Sequence, residues 1–312
     1  MGIENLRPEL QDSFKKIPSL PFHIKPLIPI ARFIYNIAAK SKLDDGVEVR
    51  TERHGAFEMR VFTPKFAKSD AGVLWCFGGG HVAGNADHVN GIANHICKKT
   101  GATVFAPAYR LAPRHPFPAN LDDAFNCWTH IVSNAASYGV NPDKLAIGGN
   151  SAGGGLAASL AQRILDEGGP QPKAQILFYP MLDDRTAADH SKDALGTVIW
   201  QNKANRTAWG VYLSPHAPGA ATLPDYAAPA RRQDLSSLPP TWIGFGDVDL
   251  FANEDQIYAQ RLKDAKVECE VEFVPGAPHA FEAICPDVPV SIDFVASAME
   301  FLVQRIGSAS AT

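Results

Sequence analysis

A serine set among glycines is the residue of this chain best suited to covalent chemistry. Ser151 stands in Gly149-Asn150-Ser151-Ala152-Gly153, a stretch of the form G-x-S-x-G. The apolar run before it predicts a β-strand and the run of small residues and leucines after it predicts a helix. Glycines at both ends allow the chain to reverse and the helix to pack close to the strand. The pattern therefore predicts a nucleophile elbow, with the serine hydroxyl exposed in a cleft.

A serine hydroxyl needs a histidine to accept its proton and a carboxylate to orient that histidine. Three histidines follow Ser151, at positions 190, 216 and 279. His279 comes directly after the predicted strand Val267–Val274, where the carboxyl edge of a sheet places functional loops. The other two fall in a stretch with weaker patterning. We therefore predict that His279 is the general base.

Two aspartates compete for the role of the acid. Asp247 and Asp249 both follow the predicted strand Thr241–Phe245. Asp249 is favoured because it lies further into the loop and can reach a histidine on the neighbouring strand, whereas Asp247 can equally be a solvated or loop-bracing carboxylate. The chain order serine, acid, histidine is the one expected for this type of elbow.

Acyl transfer also needs backbone N–H groups that stabilise the oxyanion of the attacked carbonyl. Gly78-Gly79-Gly80 follows a predicted strand that ends at Phe77, and glycines allow the main chain to approach a ligand closely. One donor is expected from Ala152, the residue after the nucleophile, and the others from the glycine loop.

The elements around these residues predict an α/β fold with a mostly parallel sheet. Residues 46–52 and 57–62 alternate apolar and polar side chains and predict an antiparallel hairpin. Beyond them, unbroken apolar runs alternate with helical patterns such as 122–136 and 253–265, which is typical of a parallel sheet covered by helices on both faces. We predict N-terminal cap helices in 1–45, a catalytic domain formed by 46–182 and 231–312, and a helical cap insertion at 183–230.

The ordered series of motifs resembles one known family. It runs through Gly78-Gly79-Gly80, Tyr109-Arg110-Leu111-Ala112-Pro113, His115-Pro116-Phe117-Pro118-Ala119, Gly149 to Gly154, Tyr179-Pro180-Met181-Leu182-Asp183, Leu238-Pro239-Pro240-Thr241, Asp249-Leu250-Phe251 and His279-Ala280-Phe281. These motifs are similar to those of the hormone-sensitive-lipase-like α/β-hydrolases, which include bacterial acetyl esterases and arylacetamide deacetylase. The resemblance implies that Asp249 takes the acid position and that Gly79 and Gly80 are the loop donors.

The same resemblance implies a serine carboxylesterase that hydrolyses short- to medium-chain or aryl esters through an acyl-enzyme, without a cofactor, and as a homodimer. Amidase, deacetylase or lactonase activity uses the same machinery, and a non-catalytic small-molecule receptor on this fold is the alternative from another class. Two departures stand out. Phe77 occupies the place of the family's histidine, and Asn150 replaces an aspartate, so loop rigidity and substrate preference are expected to differ.

Composition excludes several classes of function. The 312 residues are 46% hydrophobic and 20% charged, with a net charge of -4 and no run of five like charges, so we expect no nucleic-acid binding. Five cysteines without a C-x-x-C pair predict reduced thiols and a cytoplasmic protein. The apolar stretch 21–39 is interrupted by proline, lysine and arginine, so we expect no stable membrane insertion. A helix over the protein's own surface is the favoured interpretation, and peripheral membrane contact is the alternative.

Other conspicuous residues have competing interpretations. His81, His88 and His95 recur every seven residues, but the glycine loop is not a helix, so no metal site is predicted. Three aromatic residues of the cap are candidate substrate-binding residues, and a place in the cap core is an equally good interpretation; they are Trp200, Trp209 and Tyr212.

Overall fold

A single eight-stranded sheet forms the centre of the molecule, in a computed structural model that describes residues 2–39, 41–55 and 57–309. The strand order is β1-β2-β4-β3-β5-β6-β7-β8. Strand β2 is antiparallel to β1 and β4, and the remaining pairs are parallel. The strands are β1 Val47–His54, β2 Phe57–Pro64, β3 Gly72–Cys76, β4 Thr103–Pro107, β5 Leu145–Asn150, β6 Gln175–Phe178, β7 Thr241–Gly246 and β8 Cys269–Val274.

Helices cover both faces of this sheet. Every residue of β3, β4 and β7 is buried, which requires helices on both sides, and α3 packs against α10 while α4 packs against α5. The α-helices are α1 Pro8–Phe14, α2 Ile28–Ala38, α3 Asn90–Thr100, α4 Ala119–Ser133, α5 Ala152–Glu167, α6 Asp184–Ala188, α7 Asn202–Tyr212, α8 Ala252–Asp264, α9 Phe281–Ile284 and α10 Pro289–Ile306. The predicted fold class is confirmed.

The element boundaries differ from the sequence-based ones by a few residues. Strand β5 extends to Asn150 rather than ending at Ile147, because its last residues pair with β6 up to Phe178. Helix α4 begins at Ala119, three residues before the expected start. Strand β8 is the only one of the last five whose residues are mostly half-buried or exposed, since it pairs on one side with β7 and forms the edge of the sheet.

A second hydrophobic cluster lies over the carboxyl edge of the sheet, at the start of α5 and the loop after β7. It combines Phe22, Ile28 and Ala31 from the N-terminal segment with side chains of the stretch between β6 and β7, such as Trp200. This shared cluster is the observation that supports the proposed cap segments 1–45 and 183–230, whose boundaries stay predictions. In the described part of the chain, none of the helices has the length and apolar character needed to cross a bilayer.

Candidate active site

Ser151 lies at the turn between β5 and α5 in a strained backbone conformation. Its φ of 56° and ψ of -126° are unfavourable for a residue with a side chain. The flanking glycines are required by close packing: a Cβ at Gly149 would lie 2.3 Å from the carbonyl oxygen of Gly153, and one at Gly153 would lie 2.2 Å from that of Cys76. A hydrogen bond stabilises this strained conformation: the Ser151 N–H donates to the carbonyl oxygen of Phe178 in β6 at 2.9 Å. This geometry is that of the predicted elbow.

Three side chains form a continuous hydrogen-bonded series at this turn. The Nε2 atom of His279 lies 2.9 Å from Ser151 Oγ, and its Nδ1 atom lies 2.6 Å from Asp249 Oδ2. All three are buried, with exposures of 7%, 8% and 3% for His279, Ser151 and Asp249. An imidazole that donates from Nδ1 to the carboxylate leaves Nε2 as the acceptor for the serine hydroxyl. The series can therefore remove the serine proton.

The structure separates the two competing aspartates. The second oxygen of Asp249 accepts the N–H of Phe251 at 3.0 Å, which fixes the carboxylate that faces His279. Asp247 instead accepts the N–H of Gly276 at 2.6 Å, at an exposed position. Asp247 thus ties the loop after β7 to the turn after β8, which is the bracing role considered for it from the sequence.

The glycine loop approaches the nucleophile with its backbone. A Cβ on Gly78 would lie 3.2 Å from Ser151 Cβ, so the two segments are in close contact. Gly79 and Gly80 have φ values of 126° and 61°, which favour glycine. In the described residues, no acceptor takes the N–H of Gly79 or Gly80. The N–H of Ala152 is at the first position of α5, where helical amides lack an intrahelical acceptor. These three amides are available to an oxyanion.

Helix α2 braces the glycine loop from outside the sheet, a contact that the sequence did not reveal. The Arg32 guanidinium donates to the carbonyl oxygens of Val82 and Ala112. The side chain of Asn36 accepts the N–H of Gly84 at 2.9 Å. Polar residues within an otherwise apolar helix were the available signal, but their hydrogen-bond partners lie about 50 to 80 positions away in the chain.

The two departures from the family pattern have defined packing. The Phe77 ring stacks on Tyr109 with centroids 4.0 Å apart and lies against Gly84, where an added Cβ would approach it to 2.5 Å. The Tyr109 hydroxyl also donates to the Phe77 carbonyl oxygen. Asn150 accepts a long hydrogen bond, 3.4 Å, from the indole of Trp75. Aromatic stacking thus supports the loop at the position where the family has a histidine.

The tentative substrate residues of the cap are buried beside the loop. Tyr212 stacks on His81 with centroids 3.9 Å apart, and Trp209 packs edge-on against both rings. Burial lowers the pKa of His81 to about 3, so its imidazole is neutral. Trp200 lies closer to the oxyanion loop, because a Cβ on Gly80 would be 2.5 Å from its ring. The role of Trp200, Trp209 and Tyr212 in substrate binding stays a prediction.

Buried carboxyl groups surround the acid side of this site. Burial raises the pKa of Glu282 to about 7 and that of Glu254 to about 8. The pKa of Asp255 is raised well above its usual range, mainly by burial and then by the neighbouring Glu254 and Asp249. In the described part of the chain neither oxygen of Asp255 has a hydrogen-bond partner. Burial thus favours the protonated form of Glu282, Glu254 and Asp255.

One group of potential metal ligands occurs in the described residues, and it lies away from the site. Glu52, His54 and His130 have ligand atoms within 4.8 Å of one another. Glu52 Oε2 lies 3.1 Å from His54 Nε2, and the Tyr138 hydroxyl lies 2.6 Å from Glu52 Oε2 and 3.0 Å from His130 Nε2. This cluster is at the sheet edge formed by β1, not among the evenly spaced histidines considered from the sequence.

Two surface grooves, of about 580 and 490 Å³, are lined by residues of the cap insertion and of α5 and α8. Neither groove is lined by Ser151, Asp249 or His279. These three side chains are themselves buried.

Comparison with known proteins places the chain among esterases. A family model for the alpha/beta hydrolase fold matches residues 73–283. Carboxylesterase NlhH of Mycobacterium tuberculosis is 31% identical over 242 residues, which cover 75% of this chain and 74% of that protein. Ethyl acetate hydrolase of Pseudomonas putida is 28% identical over 69% of this chain and 67% of its own.

Solved structures agree with the sequence comparison. A bacterial heroin esterase superposes with a TM-score of 0.89 at 30% identity, covering 97% of this chain and 99% of that one. An esterase from the bacterial hormone-sensitive lipase family superposes with a TM-score of 0.81 at 25% identity, covering 96% and 99%. The predicted resemblance is confirmed: the chain belongs to the α/β hydrolase family and is a relative of its hormone-sensitive-lipase-like esterases.

Proposed function

We propose that the protein is a serine carboxylesterase that acts on short- to medium-chain or aryl esters through Ser151, His279 and Asp249. The observation that carries the proposal is the series of two hydrogen bonds, 2.6 and 2.9 Å long, that joins the three side chains beside a glycine loop. Relatives named as a carboxylesterase, an ethyl acetate hydrolase and a heroin esterase support the reaction class.

The reaction follows from the geometry. Ser151 Oγ attacks the ester carbonyl while His279 Nε2 accepts its proton, and the carbonyl π electrons move onto oxygen. The N–H groups of Gly79, Gly80 and Ala152 stabilise that oxyanion, each contributing about 10²- to 10³-fold in rate. When the tetrahedral intermediate collapses, the C–O bond to the alcohol breaks and the leaving alkoxide takes the proton from His279. An acyl-serine remains.

Deacylation repeats these steps with water. His279 accepts a proton from the water molecule as its oxygen attacks the acyl carbonyl, and the proton then returns to Ser151 as the carboxylic acid leaves. Asp249 holds the imidazole in the required tautomer and stabilises its positive charge. Each step uses groups of this chain and the substrate, so the proposal requires no metal or cofactor.

A Ser151→Ala variant tests the nucleophile directly. We expect its kcat for p-nitrophenyl acetate to fall by about 10⁴-fold or more, with an unchanged folded structure by circular dichroism. Ser137→Ala, which alters an exposed serine in the turn after α4, is the matched control and should retain full activity. Near-normal turnover by Ser151→Ala would contradict the assignment.

A fluorophosphonate probe separates the esterase from a receptor built on the same fold. Stoichiometric labelling of the wild type and none of Ser151→Ala is expected for an activated serine. Absence of labelling together with tight binding of a small molecule would instead favour the receptor. Parallel assays with an ester, an amide and a lactone of the same acyl group then define the preferred bond.

A further inference from the structure

Helix α2 presents an apolar stripe to solvent. Ile30, Phe33, Ile34 and Ile37 are 56%, 68%, 41% and 60% exposed. Their spacing of three, four and seven residues places them on one side of the helix. In a helix that packs on a protein core this side faces inward, but here it faces outward.

The opposite side of α2 fixes this orientation. Ile28 and Ala31 are buried in the second hydrophobic cluster described above. The Arg32 guanidinium donates hydrogen bonds to the carbonyl oxygens of Val82 and Ala112. Rotation of the helix to bury the stripe would leave the arginine without these partners and expose the residues now packed. The outward face is therefore set by the fold.

Exposed apolar side chains are concentrated in this part of the molecule. Of the ten large hydrophobic residues exposed in the described chain, six lie between Ile17 and Ile37. Ile17 and Ile24 lie in the segment of the chain that precedes α2. We call residues 15–39 together with residues 41 and 42 the α2 surface. Contiguous apolar exposure of this kind marks an interaction site.

The α2 surface has a net positive charge, whereas the rest of the protein has a net negative charge. Residues 13–43 contain six lysines and arginines and no aspartate or glutamate, although the whole chain has a net charge of -4. Lys16, Lys25 and Lys42 are exposed in this segment, while Arg32 is turned inward and Lys15 pairs with Asp12. The surface thus combines an outward apolar stripe with flanking basic groups.

We propose that the α2 surface docks onto the anionic surface of a phospholipid bilayer, with α2 lying in the plane of the interface. An amphipathic helix with an apolar side and flanking lysines is the arrangement that binds lipid headgroups and the upper acyl region. A second copy of this chain is disfavoured as the occupant, because it would bring two uniformly basic segments face to face.

Docking there would bring the lipid to the outer side of a helix whose inner side packs against the proposed active site. The inner side of α2 belongs to the same cluster as Trp200 and Ala152, and its Arg32 and Asn36 hold the loop that contains the proposed oxyanion donors. The substrate class that follows, apolar esters dissolved in the bilayer, rests on the proposed esterase function. The docking itself does not depend on catalysis.

Vesicle flotation tests the docking without an activity readout. The full-length wild type is mixed with 100-nm vesicles of phosphatidylcholine alone or with phosphatidylglycerol at 30 mol%. We expect binding to the anionic vesicles at low salt, release in 0.5 M NaCl, and little binding to the neutral ones. Phe33→Ser/Ile37→Ser should lower the partition coefficient by about 100-fold. Lys16→Gln/Lys25→Gln/Lys42→Gln should lower it by about fivefold for each lysine.

Controls and contrary results are equally specific. Ile257→Ser/Ile292→Ser removes two exposed apolar side chains elsewhere, which are 52% and 53% exposed, and should bind vesicles like the wild type. Equal binding of all variants, or no binding of the wild type at low salt, would overturn the proposal. So would a wild-type dimer in light scattering that Phe33→Ser/Ile37→Ser converts to a monomer, since a second copy would then cover the stripe.

A paired activity assay tests the substrate class separately. Phe33→Ser/Ile37→Ser should hydrolyse water-soluble p-nitrophenyl acetate at the wild-type rate but lose at least about tenfold on a long-chain fluorogenic ester carried in anionic vesicles. Equal loss on both substrates would refute lipid presentation. If neither enzyme hydrolysed any ester while vesicle binding persisted, the esterase proposal would fail and the docking would stand.

Discussion

Replacement of Glu282 by glutamine tests whether a buried carboxyl group beside the active site is protonated in the folded protein. Glu282 lies three residues after His279 in the chain. Its Oε1 atom accepts a hydrogen bond from the hydroxyl of Tyr179, whose ring packs edge-on against the His279 imidazole. In the described residues its Oε2 atom is buried without a partner. Burial raises the pKa of Glu282 from 4.5 to about 7, so the folded protein retains a proton that the unfolded chain releases.

The sign of the pH dependence follows from this difference. Above pH 4.5 the folded state binds more protons at Glu282 than the unfolded state does, so its contribution to stability falls as the pH rises. The loss continues until the pH passes the folded-state pKa of about 7, where both states become ionised. Each pKa unit corresponds to about 1.4 kcal/mol, and the total loss is therefore about 3 kcal/mol.

Glutamine keeps the acceptor for Tyr179 and carries no charge. Relative to the wild type, Glu282→Gln should gain about 2 to 3 kcal/mol in free energy of unfolding between pH 5 and pH 8. Urea denaturation of both proteins at both pH values measures how the difference in free energy of unfolding between variant and wild type changes with pH. Glu300→Gln, an exposed position on α10, is the control and should show a constant difference. A pH-independent difference for Glu282→Gln would refute the assignment of a buried, protonated carboxyl group.

Two pairs of variants test the remaining geometry. Asp249→Asn should lower kcat for p-nitrophenyl acetate by about 10⁴-fold. Asp247→Asn should keep kcat within about threefold and lose only about 1 kcal/mol of stability, from its hydrogen bond to Gly276. Equal losses of kcat in the two variants would contradict the different roles assigned to the two aspartates. Gly79→Ala should lower kcat by about 10²- to 10³-fold, because the new Cβ would lie 2.3 Å from a carbonyl oxygen of the same loop. Gly139→Ala, also at positive φ but with no atom within 4 Å of the new Cβ, should lose only stability, and a similar kinetic loss there would show that the effect is not local to the loop.

The sequence predicted the elements that depend on local backbone demands. Gly149 is required by its contact with the carbonyl oxygen of Gly153, four residues along the chain, and glycine is favoured at positions 79 and 80 by their own positive φ angles. The alternation of apolar strands with helices fixed the sheet class, because a strand buried on both faces has no tolerance for polar side chains. The predicted positions of Ser151 and His279 at strand ends follow from that pattern.

Contacts between distant segments could not be predicted in the same way. Patterning favoured Asp249 over Asp247 only by its place in the loop, and the structure shows the reason in the different partners of the two carboxylates. The stacking of Phe77 on Tyr109 joins residues about 30 positions apart, and nothing in either neighbourhood indicates it.

Helix α2 shows most clearly which features depend on the sequence and which depend on tertiary packing. From the sequence alone, an apolar stretch interrupted by lysine, proline and arginine predicts a helix over the protein's own surface, with peripheral membrane contact as the alternative. Only the tertiary structure decided which side of that helix faces the protein, because the carbonyl oxygens that hold Arg32 inward belong to loops brought there by the folding of the sheet. The sequence determined the composition of the α2 surface and of the elbow. The packing of remote segments determined which of their side chains meet solvent and which meet each other.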